Sequence, residues 1–414
     1  MYDLIAMGGG LTGCAAAIAA ARRGLCVLLI EKTGALGGAA VVNLVNPFMP
    51  NGTKIGGRYT ELSQGLYAEI KARLADMGGI RGRMFHEEYL KIVLDRMCAE
   101  AGVDVLFHAT LVGADVEGNE VKRVRVVGKA GVQVFEAASF VDATGDADLA
   151  VMCGCPYRLG RPEDGLCQPM TLCFRVANVD IEAYKRVHAT ISPSYQEAQK
   201  AGKIRNPRED VLIFHTLVGG MLHFNSTRVV KLNPTDPFDL SRAEREAREQ
   251  MLELFTFMKE NIEGFENADL AFSAIEIGVR ESRMIDGRHV LCAEEMKDCV
   301  RFPDAIAAGN YDIDIHNPAG SGTSHFYFPE GHYYQIPYRS LVPIHVDNLL
   351  VAGRAISATH EAQASVRIMP ICITTGEAAG AAVAIAKQDQ TSCAQVDTQK
   401  LRETLRTGGA YLGD

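Results

Sequence analysis

The sequence predicts an α/β fold whose parallel sheet is built from both ends of the chain. Three observations lead to this. An apolar strand, a glycine-rich turn, a helix and a second strand follow one another from Tyr2 to Glu31. A strand from Ser139 to Ala143 ends in another glycine turn. Near the end of the chain, the strand from Asn348 to Ala352 precedes an alanine-rich helix from Ile371 to Lys387. We therefore predict a discontinuous domain (1–154 and 336–414) interrupted by an α+β domain (155–335).

The first of these stretches carries G-x-G-x-x-G at Gly8, Gly10 and Gly13. The first glycine allows the tight turn, the second lets a pyrophosphate approach the backbone, and the third lets the helix lie close to the strand. The free N–H groups at the helix start attract phosphate, and Glu31 can accept hydrogen bonds from a ribose diol. Together these features predict a Rossmann-type dinucleotide site.

The remainder of the first domain alternates helices and strands. Helices are predicted from Tyr59 to Asp76 and from Phe85 to Ala101, with Gly102 as the stop signal. A strand follows at 103–108, and three strands at 111–115, 121–128 and 132–135 predict a β-meander. The segment Ala143-Thr144-Gly145-Asp146 is expected to return the chain to the cofactor.

The middle third lacks glycine-phosphate motifs. Strands are predicted within 167–176 and 211–230, and a long amphipathic helix from Leu240 to Ile262. This region is interpreted as a substrate domain.

Composition excludes some classes of function. The formal net charge of −9 gives no electrostatic basis for binding nucleic acid. No signal peptide and no run of membrane-span length are recognised, so a soluble, cytoplasmic protein is expected. The 11 cysteines include no C-x-x-C, which argues against a zinc ribbon or a ferredoxin-type cluster.

Taken together, these motifs resemble the flavoprotein superfamily that folds like glutathione reductase. Within it, the chain looks most like FAD-dependent oxidoreductases related to fumarate reductase and succinate dehydrogenase flavoproteins. The resemblance also rests on Gly278-Val279-Arg280-Glu281-Ser282-Arg283, on Asp312-Ile313-Asp314-Ile315-His316-Asn317, and on Ile336-Pro337-Tyr338-Arg339. It closes with Val351-Ala352-Gly353-Arg354 and Arg367-Ile368-Met369-Pro370.

The resemblance implies a set of residues that bind FAD. The turn from Gly8 to Gly13 would hold the pyrophosphate, and the Glu31 carboxylate would bind the adenosine ribose. The backbone of Leu111 or Val112 would contact adenine. The start of the C-terminal helix would face the isoalloxazine. The set comprises Gly8, Gly10, Leu11, Thr12, Gly13, Glu31, Lys32, Thr33, Gly37, Gly38, Ala39, Leu111, Val112, Ala143, Thr144, Gly145, Asp146, Gly353, Arg354, Met369, Thr375, Gly376, Ala378 and Ala379.

Two departures from the family pattern matter. Many relatives have Gly-Asp where this chain has Gly353-Arg354, and an arginine can donate to phosphate but cannot accept hydrogen bonds. Succinate dehydrogenases often attach FAD through a histidine before the glycine doublet, whereas the first histidine here is His86. Non-covalent FAD is therefore predicted.

Fumarate reductase-like enzymes use Arg and His to bind carboxylates and move a proton. The catalytic candidates by this resemblance are Arg280, Arg283, His316, Arg339, His360 and Arg367. Arg280 and Arg283 would share a face if they were helical. As a strand, 312–316 would place Asp312, Asp314 and His316 on one face, where carboxylates could tune the histidine. No metal ligand set is assigned, although a metal at this strand is left open.

The predicted function is hydride transfer between FAD and a small organic substrate, by reduction of an activated C=C bond or the reverse desaturation. Oxidation of a C–OH or C–N group, a flavin electron-transfer subunit and an NAD-only dehydrogenase are the alternatives. No second dinucleotide motif is visible, so a protein or small-molecule electron carrier is expected. A homo-oligomer is left open, and no nucleic-acid or membrane partner is expected.

Overall fold

The computed structural model describes residues 1–413, which form ten α-helices and a large mixed sheet with smaller sheets around it. The helices are α1 (Leu11–Ala21), α2 (Leu66–Asp76), α3 (Glu87–Ala101), α4 (Asp148–Met152), α5 (Ile181–Lys200), α6 (Pro237–Asn261), α7 (Ala293–Lys297), α8 (His360–Val366), α9 (Met369–Asp389) and α10 (Thr398–Thr407).

The strands are mostly short. They are β1 (Tyr2–Met7), β2 (Val27–Ile30), β3 (Gly52–Ile55), β4 (Arg58–Glu61), β5 (Ile80–Arg81), β6 (Met84–Phe85), β7 (Asp104–Leu106), β8 (Thr110–Glu117), β9 (Glu120–Gly128), β10 (Gly131–Asp142) and β11 (Tyr157–Leu159). The second half contains β12 (Phe174–Ala177), β13 (Ile213–His215), β14 (Leu222–Phe224), β15 (Asp269–Ser273), β16 (Arg283–Ile285), β17 (Ala305–Gly309), β18 (Ile313–His316), β19 (Thr323–Phe326), β20 (Tyr334–Pro337) and β21 (Leu349–Val351).

The large sheet joins the two ends of the chain. Its strands lie in the order β7-β2-β1-β10-β9-β8, and β21 also pairs with β10. The pairs β7-β2, β2-β1, β1-β10 and β10-β21 are parallel, which gives the Rossmann-like core that the sequence predicts. Strands β1, β2 and β21 consist mainly of buried apolar residues, which shows that both faces of this part of the sheet are covered.

Strand β10 belongs to two parts of this sheet. Residues 131–136 pair antiparallel with β9, and residues 137–142 pair parallel with β1. The sequence analysis divides this stretch into two strands at 132–135 and 139–143. The structure corrects that division, because the backbone stays extended through Ala137 and Ala138 and only the pairing partner changes.

Helices α1 and α9 pack against each other beside the sheet at very short range. A Cβ on Gly376 would lie 2.2 Å from the Thr12 carbonyl oxygen, and one on Gly380 would lie 2.1 Å from that of Ala16. Only glycine permits this approach. The contact explains why α9 consists largely of Ala and Gly, and it fixes the start of α9 near the start of α1.

Helix α9 is also long and apolar enough to cross a membrane by length and composition, which corrects the prediction that no run reaches that length. Its apolar window is 100% buried inside the protein. That burial is typical of the core helix of a soluble protein.

Other differences concern the predicted helices. The expected helix 59–76 is shorter, because Arg58–Glu61 pairs with β3 as strand β4 and Gly65 precedes the true start at Leu66. Helix α5 was not predicted, and it continues through Pro193. In the stretch 167–176, only the residues from Phe174 onward form a regular strand.

The middle of the chain has a hydrophobic core of its own. Helices α5 and α6 pack on the four-stranded sheet β13-β14-β12-β15, with Phe174, Tyr195 and Phe224 among the fully buried side chains. Side chains between Leu291 and Ile313 instead pack in the main core together with α1 and α9.

Candidate active site

A cavity of about 350 Å³ lies where the first glycine turn meets the ends of β10 and β21. Most of the residues predicted to bind FAD line it. They are Gly8, Gly10, Leu11, Thr12, Glu31, Lys32, Thr33, Gly37, Gly38, Ala39, Ala143, Thr144, Gly145, Asp146, Gly353, Arg354 and Met369. The middle of the chain closes the other side with Pro234, Leu240, Glu244, Glu276, Ile277 and Val279. We call this the cofactor cavity.

Seven predicted FAD-binding residues do not line the cofactor cavity. Gly13, Gly376, Ala378 and Ala379 are buried in the helix packing, and a Cβ on Gly13 would lie 1.9 Å from the Gly8 carbonyl oxygen. Thr375 contributes indirectly, because its Oγ1 accepts a hydrogen bond from the Gly353 backbone N–H at 3.1 Å. Leu111 and Val112 lie on β8, and Val112 is 46% exposed.

The cofactor cavity fits a dinucleotide. Helix α1 begins without a side-chain cap, so its first N–H groups are available to a phosphate. A Cβ on Gly10 would meet only Gly38 Cα, at 3.8 Å, which shows that the space above Gly10 is open. The Glu31 carboxylate is held by the Gly9 N–H at 2.6 Å and by the Thr33 N–H at 2.8 Å. It therefore points along the turn, where a ribose would lie.

The features at the flavin end also fit. Helix α9 begins at Met369 without a side-chain cap, so its positive end faces the cofactor cavity. Arg354 forms an ion pair with Asp146 at 2.6 Å. Cys372 lies nearby, but burial raises the pKa of its thiol to about 12. Of the residues that the structure describes, no histidine lines this cavity.

A second cavity, of about 390 Å³, adjoins the first, and we call it the substrate cavity. The two share the lining residues Ala39, Val279, Arg354, Arg367 and Met369. A molecule in the substrate cavity would therefore meet the flavin end of a bound cofactor at this junction. Three predicted catalytic residues line the substrate cavity, namely Arg280, His316 and Arg367.

Arg280 is a cation whose hydrogen-bond partners are all neutral, although the Asp314 carboxylate acts on it through its charge. Its guanidinium donates to the Pro169 carbonyl oxygen at 2.7 Å, to the Thr171 hydroxyl and to the Asn225 amide oxygen, all of them neutral. Within residues 1–413 it forms no ion pair. Burial and the neighbouring Arg367 and Arg208 lower its pKa to about 9. Since buried charges are normally paired, this arrangement suits an incoming anion.

Two further arginines surround the same space. Arg208 pairs with Asp210 at 2.6 Å, while its Nη1 is buried and has no partner among the described residues. Arg367 lies 3.9 Å from the Asp314 carboxylate. Its Nε is likewise buried without a hydrogen-bond partner in the described chain. Like Arg280, these unsatisfied donors suit an anionic ligand.

His316 is neutral, and its tautomer follows from its neighbours. Arg228 Nη2 lies 3.1 Å from His316 Nδ1. A guanidinium can only donate, so Nδ1 accepts and the proton is on Nε2, which faces Asp314 Oδ2 at 3.4 Å. Burial and Arg280 lower the pKa of His316 to about 3. The pKa of Asp314 is lowered despite its burial, by the hydrogen bond with His316 and the charge of Arg367.

The strand predicted at 312–316 is present as β18. Asp314 and His316 both face the substrate cavity, and Asp312 pairs with His325 of β19. Ligand atoms of Asp312, Asp314 and His325 lie within 4.8 Å of one another. Asp312 Oδ2 lies 2.5 Å from His325 Nδ1, and Arg367 lies 3.9 Å from the Asp314 carboxylate.

The other three catalytic candidates lie outside both cavities. Arg283 is on strand β16, binds the Asp146 carbonyl oxygen at 2.7 Å and pairs with Asp148. It shares no helical face with Arg280, because Gly278 exchanges backbone hydrogen bonds with Thr171 and the segment is extended. Arg339 pairs with Asp304 at 2.9 Å. His360 pairs with Glu281 at 2.7 Å, which raises its pKa despite burial.

Several lining residues were not anticipated from the sequence. Thr171, Arg208, Glu209 and Asn225 come from the middle of the chain, where no motif identifies them. Arg228, behind His316, is only 1% exposed. The one available signal is the charged run at 208–210 next to a predicted strand, and it is indistinguishable from a solvated turn.

Comparisons with known proteins agree with this geometry. The sequence matches the family described as FAD dependent oxidoreductase over residues 3–405. A search of curated proteins finds no match to the chain.

Solved structures are similar to this chain at low sequence identity. The flavin-dependent brominase Bmp2 is 12% identical, with a TM-score of 0.50, covering 98% of this chain and 83% of its own. The p-nitrophenol 4-monooxygenase PnpA of Pseudomonas putida is 10% identical, with a TM-score of 0.50, covering 100% and 90%. A geranylgeranyl bacteriochlorophyll reductase-like protein of Thermoplasma acidophilum is 13% identical, with a TM-score of 0.48, covering 98% and 83%. The chain therefore belongs to the FAD dependent oxidoreductase family and is an FAD-dependent enzyme.

Proposed function

We propose that the protein transfers hydride between FAD and a small organic anion held in the substrate cavity. The preferred reaction is reduction of an activated C=C bond, or the reverse desaturation. The observation that carries this proposal is Arg280, a cation with only neutral partners at the wall of a cavity adjoining the flavin end of the cofactor cavity. An anionic substrate would supply the missing negative charge.

When bound, FAD supplies the hydride chemistry itself. The protein binds and orients the substrate: Arg208, Arg280 and Arg367 hold its anionic group, and the junction at Met369 sets its distance from the cofactor. Reduction of a C=C bond also requires a proton. Arg280 is our candidate donor, because its protonated guanidinium lines the substrate cavity and has only neutral hydrogen-bond partners.

Oxidation of a C–OH group would instead need a base at the same place. His316 is the neutral group in the cavity, but its pKa of about 3 makes it a weak proton acceptor at neutral pH. This favours the C=C reaction over the alternatives involving C–OH or C–N groups. An electron-transfer subunit would not need a second cavity lined with arginine.

We further propose that the fold is of the glutathione reductase type and that residues 155–335 form an inserted substrate domain. The separate core of α5, α6 and β12–β15 supports such a domain, and the relation to fumarate reductase flavoproteins rests on the sequence motifs. A cytoplasmic location, a protein or small-molecule electron carrier and a homo-oligomeric state remain proposals of the same kind.

The test uses the FAD-loaded protein, reduced without oxygen and then mixed with unsaturated carboxylic acids while flavin absorbance is followed. Reoxidation by at least one acid is expected, and Arg280→Gln should slow it by about 100-fold or more. Arg339→Gln is the matched control, because Arg339 lies outside both cavities. Equal rates in the two variants would refute the role of Arg280. Acid precipitation of the same sample should release the yellow chromophore into the supernatant if FAD is bound non-covalently.

A further inference from the structure

The floor of the substrate cavity is one edge of the four-stranded sheet. Leu212 precedes β13 and Phe214 lies within it, and both line the cavity. Being two residues apart, they point to the same face of the strand. Ile213, between them, packs toward the core of α5 and α6. The sheet thus presents a row of large apolar side chains to the cavity.

The arginine end of the cavity is located by hydrogen bonds. Arg280 donates to the Thr171 hydroxyl, and its Nη2 lies 3.5 Å from Asn225 Oδ1. The Asn225 backbone N–H in turn donates to the Leu212 carbonyl oxygen at 3.0 Å. Arg280 therefore lies at the Leu212 end of the row.

The other end of the row, at Phe214, is mainly apolar; Asn46 also lines it, with its side-chain amide hydrogen-bonded to the Phe85 backbone. Phe214 is two residues beyond Leu212, which is roughly 7 Å along an extended chain. Its ring stacks on His223 of β14, with ring centroids 6.0 Å apart. His223 is fully buried and lies against the Asn46 backbone. The segment around Asn46 therefore covers this end, and it adds Val45, Pro47 and Met49 to the cavity wall.

We propose that the substrate is an amphiphilic organic anion, with its carboxylate at Arg280 and an apolar chain or ring extending toward Phe214 and Met49. This inference rests on the proposed function and names the substrate class for the same site. A cavity of about 390 Å³ lies in the range of about 300–1,000 Å³ that holds drug-sized ligands. A four-carbon dicarboxylate between the arginines would leave the apolar end filled with water.

The experiment measures binding of a homologous series to the FAD-loaded protein by calorimetry, with the flavin difference spectrum as a second readout. The probes are acetate, butanoate, hexanoate and octanoate, with fumarate and succinate as dicarboxylates. If the inference holds, the Kd falls by about two- to fourfold for each methylene added, until the apolar end is full. Hexanoate then binds more tightly than either dicarboxylate.

Substitutions test whether Leu212 and Phe214 cause the dependence of the Kd on chain length. Phe214→Ser should flatten the dependence on chain length while the Kd of acetate stays the same, and Leu212→Asn serves as a second variant if the first does not fold. Phe272→Ser is the matched control, since Phe272 is exposed on the opposite edge strand of the same sheet. It should leave the series unchanged.

The possible failures are distinguishable. If the Kd does not change with chain length, or if the dicarboxylates bind more tightly than hexanoate, the substrate is not amphiphilic. The proposal that Arg280 binds an anion is unaffected by that result. Two other results would refute the anion site of the proposed function as well. In the first, no carboxylate binds to the wild-type protein. In the second, the Arg280→Gln variant binds the carboxylates as tightly as the wild type does.

Discussion

Each glycine of the first turn is required for a different reason. Gly8 has a φ of +97°, and a Cβ there would lie 2.6 Å from the Ala143 carbonyl oxygen, so it is required by the fold itself. Gly13 is required by the close approach of α1 to the turn. Gly10 has an ordinary φ of −66° and open space above it. Of these three glycines, only Gly10 is not required by the fold, and we propose that it serves the cofactor.

This separation predicts that Gly10→Ala weakens FAD binding without unfolding the protein. The new methyl group enters the space that a pyrophosphate needs, and we expect the Kd for FAD to rise about tenfold or more, or about 1.4 kcal/mol. Titration of the apoprotein with FAD measures this. Gly219→Ala is the control, because a Cβ there meets nothing within 4 Å. A lower melting temperature for the Gly10→Ala apoprotein alone would contradict the assignment.

The Arg228–His316 contact is an example of a side-chain contact that the sequence alone does not predict. The two residues are 88 positions apart, and neither flanking segment carries a motif that relates them. The cofactor residues are easier to predict, because a pyrophosphate would be bound by consecutive backbone groups, here proposed at 8–13. The residues in and behind the second cavity are brought together only by tertiary packing, which is why the sequence does not predict Arg208, Asn225 and Arg228.

At the level of elements, α2 depends on a residue of another helix. Its N-cap residue, Gly65, has no side chain, and the Leu66 N–H donates instead to Glu377 Oε2 of α9 at 3.0 Å. A Cβ on Gly65 would lie 2.5 Å from that same oxygen. Burial raises the pKa of Glu377 to about 7. A carboxylate in the interior of the core helix is thus explained by a cap on its neighbour.

This cap predicts a pH-dependent effect of Glu377→Gln. Between pH 4.5, the ordinary value, and about 7, the folded state binds more protons than the unfolded state, so Glu377 destabilises the fold as pH rises through that window. The glutamine oxygen keeps the hydrogen bond without the buried charge. We expect the variant to match wild type at pH 4.5 and to gain about 1–3 kcal/mol in unfolding free energy at pH 8.

Chemical denaturation at several pH values measures this difference. Glu403→Gln, an exposed residue in the groove beside Glu377, is the control and should show no such trend. A gain for Glu377→Gln that is the same at every pH would show that the buried charge is not its cause.

Elements were predictable from sequence where local and tertiary preferences agree. Strands β1 and β2 and helix α1 follow directly from apolar runs and glycine punctuation. Helix α5 contains Pro193, a residue that normally ends a helix, and only its packing on the core of the middle region keeps it continuous. The continuity of β10 depends on a change of partner strand, which no local pattern encodes.

The whole molecule encloses the cofactor cavity between distant parts of the chain. One side is the glycine turn with the starts of α1 and α9. The other side is formed by Pro234, the first half of α6 and the segment 276–279. Lys32 joins the two sides through an ion pair with Glu276 at 2.9 Å. Bound FAD would therefore contact both sides.

This enclosure predicts the pattern of amide hydrogen exchange when FAD binds to the apoprotein. We expect slower exchange not only at 8–13 and 37–43 but also at 234–244 and 276–279, because ligand binding stabilises every element that contacts the ligand. Helix α5 is the internal control, since it lines neither cavity and packs in a separate core. Mass spectrometry of peptides from the two states gives the comparison. Protection confined to the glycine turn and α9 would mean that the middle region does not close over the cofactor.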